Sequence, residues 1–412
     1  MNRIIFHVDV NSAYLSWEAA HRLQQGDELD LRTIPSIIGG DPKTRKGVVL
    51  ARSTPAKAFG VRTGESLKEA FDKCSSLYVA QPNHALYAEC SRQLLTLFDE
   101  YTPDIQPFSI DESFLDMTHV KDPIQTAYDM QRAIWDRLGF TVNIGISVNK
   151  LLAKLASDFQ KPNRVHTLFP TEIATKLWPL PIRELYMVGP ASEKNFHSMG
   201  IRTIGDLAKA DPEVLEAHLK SYGRMIHRYA HGIESSPIKA RTPRDAKGIG
   251  NSTTLPQDIS DFDTIKMYLL ALSETVATRL RLIDKMAHVV TVQAKDTEFK
   301  TRTHQRKLLS PIDHTTALYQ TAIELFQHFW TGYPVRLVGV QVSELVDNDQ
   351  YALDIFTMDT IEQDRSLDAT IDKLREKFGD SAIKRATFAG QDVKPMIGKI
   401  SEEDDPPQGH EL

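Results

Sequence analysis

Cysteine is scarce in this 412-residue sequence, which has only Cys74 and Cys90, and these two lack the spacing of a metal-ligand pair. So few thiols argue against a disulfide-rich protein of an oxidising compartment. Long apolar runs are also missing, because no stretch approaches the roughly 18 to 20 residues that cross a bilayer. The N-terminus passes from a short apolar piece into His7 and Asp9, which is typical of a strand and not of a signal peptide. We therefore predict a cytoplasmic protein with no membrane partner.

An excess of positive charge is absent as well, since the formal net charge is -6 at pH 7. Taken as one figure, this counts against nucleic-acid binding, which needs a positive surface. From Glu344 to the end, however, 17 Asp and Glu stand against 8 Lys and Arg, a net of -9, which leaves +3 for residues 1–343. A mildly basic body with an acidic tail is compatible with DNA. An ordinary acidic cytosolic enzyme fits the charge equally well.

Length and composition indicate several globular domains. The chain is longer than one hydrophobic core usually allows, so about two to four domains are expected. Its 41% hydrophobic and 25% charged residues are those of a folded protein and not of a disordered or fibrous one.

The first part of the chain alternates strands and helices. Strands are predicted at residues 3–9, 105–110, 113–117 and 141–146, and helices at 13–23, 85–101, 124–138 and from Asn149 onward. Asn11 and Ser12 are suitable N-caps for the first helix. This β-α-β-β-α-β order is the split arrangement of ferredoxin-like folds. We expect residues 1–20 and 80–165 to form such a domain, with residues 21–79, including short strands at 34–38 and 48–51, inserted into it.

Further regions follow this domain. Residues 166–234 have short helices punctuated by Pro and Gly, and residues 235–247 form a basic, Ser- and Pro-containing linker. A second α+β domain is expected at 248–345, with helices at 264–283 and 317–330 and strands at 289–294, 299–308 and 335–342. Residues 346–412 form a polar extension whose acidic tail is expected to be disordered past about residue 398.

Three acidic residues lie at strand ends of the ferredoxin-like domain. Asp9 ends the first strand, and Asp111 and Glu112 lie at the bend between two later strands. Clustered carboxylates repel each other unless a cation is present, and Mg²⁺ accepts oxygen ligands while keeping positions for substrate phosphates. Such a set suits nucleotidyl transfer by two ions, with Asp9 and Asp111 bridging them, Glu112 holding the ion that activates the primer hydroxyl, and the Val10 carbonyl as a further ligand. On spacing alone, acidic residues with no shared metal remain the alternative.

Several segments resemble one family. Phe6–Tyr14 and Ser109–Asp116 are similar to the two metal-binding motifs of the Y-family, or DinB/UmuC-like, translesion DNA polymerases, and the similarity continues through Asn143–Lys154 and Gln160–Asn163. It covers most of the chain to about residue 345. The resemblance implies an α+β multidomain protein with a ferredoxin-like palm, small fingers, a helical thumb and an α+β little finger. It also implies a low-fidelity DNA polymerase without a proofreading exonuclease, which acts on primer-template DNA and deoxynucleoside triphosphates in the presence of two Mg²⁺ ions.

The resemblance also assigns nucleotide-binding residues. Tyr14 matches the steric gate that excludes a ribose 2′-hydroxyl, and Lys161 matches a palm lysine that reaches the β and γ phosphates. Lys57 stands where the family has Arg, and Thr54 where it usually has Tyr. Lys is a point charge and not a bidentate fork, so Arg52 is expected to compensate, as in the UmuC-like branch, which this stretch resembles more than the DinB-like branch. For each of these basic residues a solvated surface position is the alternative.

DNA contacts are predicted in two regions. The turn at Gly189 resembles a helix-hairpin-helix, whose backbone N–H groups would bind a phosphate without reading sequence; a plain helix–helix turn is the alternative. In the second α+β domain, Lys295, Lys300, Arg302 and Arg306 lie on two adjacent predicted strands and could follow phosphates. A charged, solvated sheet face is the alternative for each of them.

A short segment after that domain is a candidate for binding the sliding clamp. Gln350–Phe356 resembles, in degenerate form, the clamp-binding peptide that some relatives carry, with Leu353, Ile355 and Phe356 as apolar anchors. An edge strand is the alternative.

Two other functions compete with catalysis of DNA synthesis. A non-catalytic adaptor on the same fold predicts missing carboxylates, yet all three are present. A diguanylate-type cyclase is suggested by Gly39-Gly40-Asp41, but the Glu-Phe expected after it is absent and the match falls in the inserted region.

Overall fold

The structure is a computed structural model that describes residues 3–40, 47–239, 246–348, 358–380, 382–391 and 393–396. These residues form two compact units, one before and one after residues 240–245.

The first unit begins with the predicted mixture of strands and helices. Its strands are β1 (Ile5–Val10), β2 (Ser36–Gly39), β3 (Val49–Arg52), β4 (Tyr78–Ala80), β5 (Ile105–Pro107), β6 (Glu112–Asp116), β7 (Val142–Ser147) and β8 (Val165–Thr167). Its helices are α1 (Ala13–Gln24), α2 (Thr54–Ala58), α3 (Leu67–Lys73), α4 (His84–Asp99), α5 (Pro123–Leu138), α6 (Lys150–Asp158), α7 (Pro190–Ser198), α8 (Ile204–Lys209), α9 (Pro212–Leu219) and α10 (Ser221–Ala230).

The main sheet of this unit has the strand order β5-β6-β1-β7-β8. The first four strands have the ferredoxin-like order that was predicted, with β1 antiparallel to both β6 and β7. Strand β8, parallel to β7, was not predicted, because its three residues are too short for a periodic pattern. On β1, Phe6, Val8 and Val10 enter the main core, while His7 and Asp9 point to the other face.

Helix α6 covers that other face at very short distance. A Cβ atom on Gly145 of β7 would lie 1.9 Å from the carbonyl oxygen of Ala153 in α6, so only glycine permits this approach. The close packing brings the Ser157 hydroxyl of α6 to 2.8 Å from the Nδ1 of His7. Sequence periodicity predicted the helix but not this distance.

The inserted region forms a small sheet of order β3-β2-β4. Both strands predicted there are present, and β4 pairs parallel to β2. Helix α2 begins directly after β3, because the Ser53 side chain accepts a hydrogen bond from the Ala56 backbone N–H at 3.1 Å. In α1, by contrast, the predicted N-cap Ser12 has left-handed backbone (φ 51°) and its side chain makes no capping bond.

Residues 170–230 form a helical module, inside the region 166–234 where short helices were expected. Its core is continuous with α6, because Leu151 and Leu152 pack with Phe196, Leu207 and Ile226. The beginning of the predicted linker lies against the main sheet: the Arg3 guanidinium donates to the Ser236 carbonyl at 3.2 Å, and Gln106 accepts from the Lys239 N–H at 3.0 Å.

The second unit is an α+β structure. Its elements are β9 (Gly248–Ile259), α11 (Phe262–Leu282), β10 (Lys285–Asp296), β11 (Thr301–Ile312), α12 (Thr315–Phe329), β12 (Val335–Asp347) and α13 (Met358–Phe378). The strands form an antiparallel sheet of order β11-β10-β12-β9. Helices α11 and α12 pack on one face and enclose the apolar core. Strand β9 was not predicted, since Gly, Asn, Ser and Thr dominate its first half.

Helix α13 was not predicted either, because its buried face is ionic. The Arg281 guanidinium of α11 contacts Asp368 at 3.0 Å and Asp372 at 2.7 Å, and Glu274 contacts Arg375 at 3.3 Å. A polar sequence can therefore pack against the second unit without an apolar stripe.

The proposed clamp anchors Leu353, Ile355 and Phe356, and the acidic tail, lie outside the described residues. Among the helices in the described ranges, none is long and apolar enough to cross a membrane.

Candidate active site

The three acidic residues lie on adjacent strands. Asp9 is the register partner of Glu112, and the Val10 N–H donates to the Asp111 carbonyl oxygen at 3.0 Å. The bend of residues 108–111 leads into β6, so Asp111 stands just before the strand and Glu112 begins it. The backbone thus brings together residues from distant parts of the sequence, as the sequence pattern indicated.

Asp9 is buried beside one cation. Its Oδ2 lies 2.8 Å from the Lys161 Nζ, and its exposed fraction is 7%. Burial raises the pKa of the Asp9 carboxyl to about 7; the charge of Lys161 opposes the shift, and the charges of Glu112 and Asp111 add to it. The positive charge of Lys161 therefore does not balance the negative charges of Asp9, Asp111 and Glu112.

Glu112 has two partners that sequence reasoning missed. Its Oε2 accepts a hydrogen bond from the Lys154 Nζ at 2.8 Å and lies 3.4 Å from the Nε2 of the fully buried His7. Burial alone would raise the pKa of Glu112, but the hydrogen bonds and charges of His7 and Lys154 outweigh it and hold the pKa well below its usual range. The only sign of Lys154 in the sequence was its place at the end of the segment Asn143–Lys154, which is similar to the family.

Asp111 is held by a neighbour in its own bend. The Ser109 hydroxyl donates to Asp111 Oδ1 at 2.5 Å, while burial raises the pKa of the Asp111 carboxyl. The three carboxylates thus face Lys161, Lys154 and Ser109, and no three His, Cys, Asp or Glu side chains in the described ranges already converge as ligands of one ion. The strands that carry the three carboxylates are adjacent, but in the described residues the carboxylate oxygens do not point to one common position.

A cavity of about 540 Å³ opens beside these residues. Eight of the predicted site residues line it: Asp9, Val10, Tyr14, Arg52, Thr54, Lys57, Asp111 and Lys161. Glu112 does not line it. Arg32, which was not predicted, does; its guanidinium donates to the Gly139 carbonyl at 2.7 Å and pairs with Asp30 at 2.9 Å.

The cations of this cavity are close enough to affect one another. Burial lowers the pKa of the Lys57 ammonium, and the charges of Arg52 and Lys161 add to that shift. The Arg52 guanidinium is hydrogen-bonded to the Val61 carbonyl, and Lys161 also pairs with Asp158 at 2.8 Å. Mutually repelling cations in a cavity favour the binding of an anion.

Tyr14 is fixed by aromatic neighbours at the cavity wall. Its ring stacks on Tyr87 with centroids 4.4 Å apart at 15°, and His84 meets it edge-on at 5.9 Å. Tyr87 is fully buried, so it forms a rigid support for the Tyr14 ring.

Gly189 is the N-cap residue of α7. Its backbone is extended (φ -87°), and a Cβ atom there would meet nothing within 4 Å. Neither backbone strain nor contacts within the chain require glycine at this position. Without a side chain, the backbone at Gly189 is open to close contact with another molecule.

Two of the predicted DNA-binding arginines in the second unit carry acidic partners. Arg302 and Arg306 pair in register with residues of β10 whose side chains are in the core, so they point to the helix-covered face. Arg302 contacts Asp296 at 2.8 Å, and Arg306 contacts Glu324 of α12 at 2.6 Å.

The two predicted lysines are placed differently. Lys295 alternates with buried residues of β10 and therefore lies on the open face of the sheet. Lys300 is in the turn before β11, beside Glu298 at 2.9 Å, and not on a strand as expected. The four basic residues therefore do not share one face.

Three protein-family models match ranges of this chain. The impB/mucB/samB family model matches residues 8–158, its C-terminal domain model matches residues 246–355, and the model of the family's HHH motif matches residues 170–201.

Curated relatives identify the family. DNA polymerase IV of Clostridium acetobutylicum is 41% identical over 96% of this chain and 100% of its own length. DNA polymerase IV 2 of Halalkalibacterium halodurans is 38% identical over 94% of this chain and 95% of its own, and DNA polymerase IV of Alkaliphilus oremlandii is 35% identical over 94% and 99%. The chain belongs to the impB/mucB/samB family, the Y-family of translesion DNA polymerases.

A solved Y-family DNA polymerase chimera superposes with a TM-score of 0.73 at 22% identity, covering 84% of this chain and all of that one. This likeness confirms the predicted fold class. Membership of the family makes the chain a DNA-directed DNA polymerase, which acts on DNA and nucleotides and depends on a divalent metal ion.

The sequence pattern left the branch of the family open, and the relatives favour one of the two. The residues around Lys57 resembled the UmuC-like branch, whereas the relatives that match almost the whole chain are DNA polymerases IV, of the DinB-like branch. A short stretch can match one branch by single substitutions, such as Lys for Arg, while the rest of the sequence follows another.

Proposed function

We propose that nucleotides are added to the primer in the cavity beside Asp9 and Asp111, in low-fidelity synthesis past damaged template bases. One observation supports this most directly: carboxylates, cations and the Tyr14 ring line the same cavity. An anionic triphosphate needs the cations, and the transfer of its α-phosphate needs the carboxylates.

Asp9, Asp111, Glu112 and the Val10 carbonyl would hold two Mg²⁺ ions. The donor set fits, because all four groups are oxygens and because the pKa of Asp9, raised to about 7 by burial, indicates too little positive charge in the metal-free protein. When bound, such ions activate the primer hydroxyl and neutralise charge on the phosphates. The chain itself keeps Glu112 ionised through Lys154 and His7.

The remaining cavity residues would bind the nucleotide. Lys161, Lys57, Arg52 and the Thr54 hydroxyl would contact the triphosphate, with Lys161 leaving Asp9 as it does so. The Tyr14 ring, supported by Tyr87, would occupy the space that a ribose 2′-hydroxyl requires.

Other modules would hold the DNA and its partners. Gly189 would let the α7 N-terminus approach a phosphate, and Lys295, Lys300, Arg302 and Arg306 would add positive charge, the last three after exchanging their acidic partners for phosphate. Clamp binding through Leu353, Ile355 and Phe356 and a cytoplasmic location stay predictions from sequence.

The test is primer extension by the isolated chain with Mg²⁺ on an undamaged template and on one with a single abasic site. We expect full extension on the undamaged template and extension past the abasic site on the damaged one. A primer that ends in a mismatch should not be shortened. Extension that always stops at the abasic site, or trimming of the mismatched primer, would refute the proposal.

A further inference from the structure

Two asparagines share a buried hydrogen-bond network behind the candidate active site. Asn11 follows β1 and Asn143 lies in the adjacent β7, with exposed fractions of 8% and 0%. The Asn11 Nδ2 donates to the Asn143 Oδ1 at 3.1 Å. Buried amide groups need hydrogen-bond partners, and both side chains have further partners in the loop that follows α6.

Asn143 holds the loop that follows α6. Its Nδ2 donates to the carbonyl oxygens of Ser157 at 2.9 Å and Gln160 at 2.7 Å, and its Oδ1 also accepts from the Arg164 N–H at 3.2 Å. Counting Asn11, both donors and both acceptor positions of this amide are used. Because the carbonyls can only accept and the N–H can only donate, the orientation of the amide is fixed.

Asn11 holds the same loop from the other side. Its Oδ1 accepts hydrogen bonds from the Asn163 N–H at 2.8 Å and from the Thr141 hydroxyl at 3.0 Å. The two amides together therefore bind three of the backbone groups in residues 160–164. Lys161 lies within this span, and its Nζ reaches Asp9 at 2.8 Å.

We infer that Asn11 and Asn143 are positioning residues that fasten the loop of residues 160–164 to β1 and β7 and so place Lys161 in the nucleotide-binding cavity. The inference rests on the proposed role of Lys161 in binding the triphosphate. Its physical basis is that residues 160–164 lie outside α6 and β8, so their backbone groups have few partners from regular structure. A lysine on a loose loop would lose part of its contact with the phosphates.

The first test measures the loop itself by hydrogen exchange. In Asn143→Ala we expect the backbone amides of Asn163 and Arg164 to exchange at least about tenfold faster. The Arg164 N–H loses its acceptor, the Asn143 Oδ1. The Asn163 N–H keeps its acceptor on Asn11, but that side chain loses its hydrogen bond to Asn143. The matched control is Ser147→Ala, which removes another buried hydrogen bond from β7, to the Leu168 carbonyl at 2.5 Å, without touching the loop. Equal protection in wild type and Asn143→Ala would overturn the inference.

The second test measures nucleotide binding. Asn143→Ala should raise the KM for the nucleotide by about tenfold while kcat and the Kd for primer-template change much less, and it should add nothing in a Lys161→Ala background. Fully additive effects would mean that the asparagine acts elsewhere, against the inference. If Lys161→Ala alone leaves KM unchanged, the proposed role of Lys161 fails, whereas the exchange measurement still decides the positioning. If Asn143→Ala does not fold, Asn11→Ala supplies both measurements.

Discussion

Replacing Lys161 by Met tests the cationic side of the site, because the variant should bind the nucleotide more weakly and a divalent metal ion more tightly. The substitution keeps most of the side-chain length but removes an ammonium that lies 2.8 Å from Asp9 and 2.8 Å from Asp158. Burial lowers the pKa of that ammonium, but the two carboxylates outweigh burial and raise it, so the wild-type group is charged at every working pH. The variant therefore removes one full charge from the cavity.

The expected size follows from the contact that is lost. A hydrogen bond between charged groups contributes about 1.5–3 kcal/mol, which corresponds to roughly a 10- to 150-fold fall in kcat/KM for the incoming nucleotide. Most of the loss should be in KM, because the triphosphate is charged in both the ground state and the transition state. Binding of Mn²⁺ to the nucleotide-free protein should change in the opposite direction and become tighter, since Lys161 no longer competes for Asp9.

The assay is single-turnover insertion over a range of nucleotide concentrations, with calorimetric titration of Mn²⁺ beside it. Lys73→Met is the matched control, because Lys73 also pairs with a carboxylate, Glu65, but lies outside the cavity. An unchanged KM, or weaker Mn²⁺ binding in the nucleotide-free variant, would refute the reasoning.

Three further predictions test other parts of the site. Tyr14→Ala should raise the incorporation of ribonucleotides relative to deoxynucleotides, measured as the ratio of kcat/KM values; an unchanged ratio would exclude a steric gate at Tyr14. Because the pKa of the Asp9 carboxyl is raised to about 7, Mg²⁺ must displace a proton below that pH, so the rise in Tm on adding Mg²⁺ should be larger at about pH 8 than at about pH 6; Asp9→Asn should lose this pH dependence, and a larger rise at the lower pH would contradict the assignment. Gly145→Ala places a Cβ 1.9 Å from the Ala153 carbonyl oxygen and should cost at least about 1–3 kcal/mol in the free energy of unfolding; urea denaturation at wild-type stability would rule out the tight α6 packing.

Much of the palm could be predicted from the sequence because its elements are long or regular. The alternation around Asp9 and the periodicity of α4 and α5 are local signals, and they place the Asp111 bend in the right sheet. Family motifs then added what local patterns cannot contain, namely the steric-gate expectation for Tyr14.

The residues that were missed depend on contacts across the chain. Lys154 reaches Glu112 because Gly145 lets α6 approach the sheet, and His7 reaches it from the adjacent strand β1. No local pattern in the sequence encodes either contact. Likewise, the register of β10 with β11 decides that Arg302 and Arg306 face acidic partners, whereas the sequence indicates only two basic strands. Propensity describes a segment; burial and pairing are set by its neighbours.

The central claim, that carboxylates on this sheet catalyse DNA synthesis, is tested most directly by single-nucleotide insertion with the Asp111→Ala variant. Asp104→Ala is the matched control, because Asp104 is an exposed carboxylate just before β5 and lies outside the cavity. With primer-template binding and Tm retained in both variants, we predict no insertion by Asp111→Ala and near wild-type insertion by Asp104→Ala. Robust insertion by Asp111→Ala would contradict the assignment of the active site.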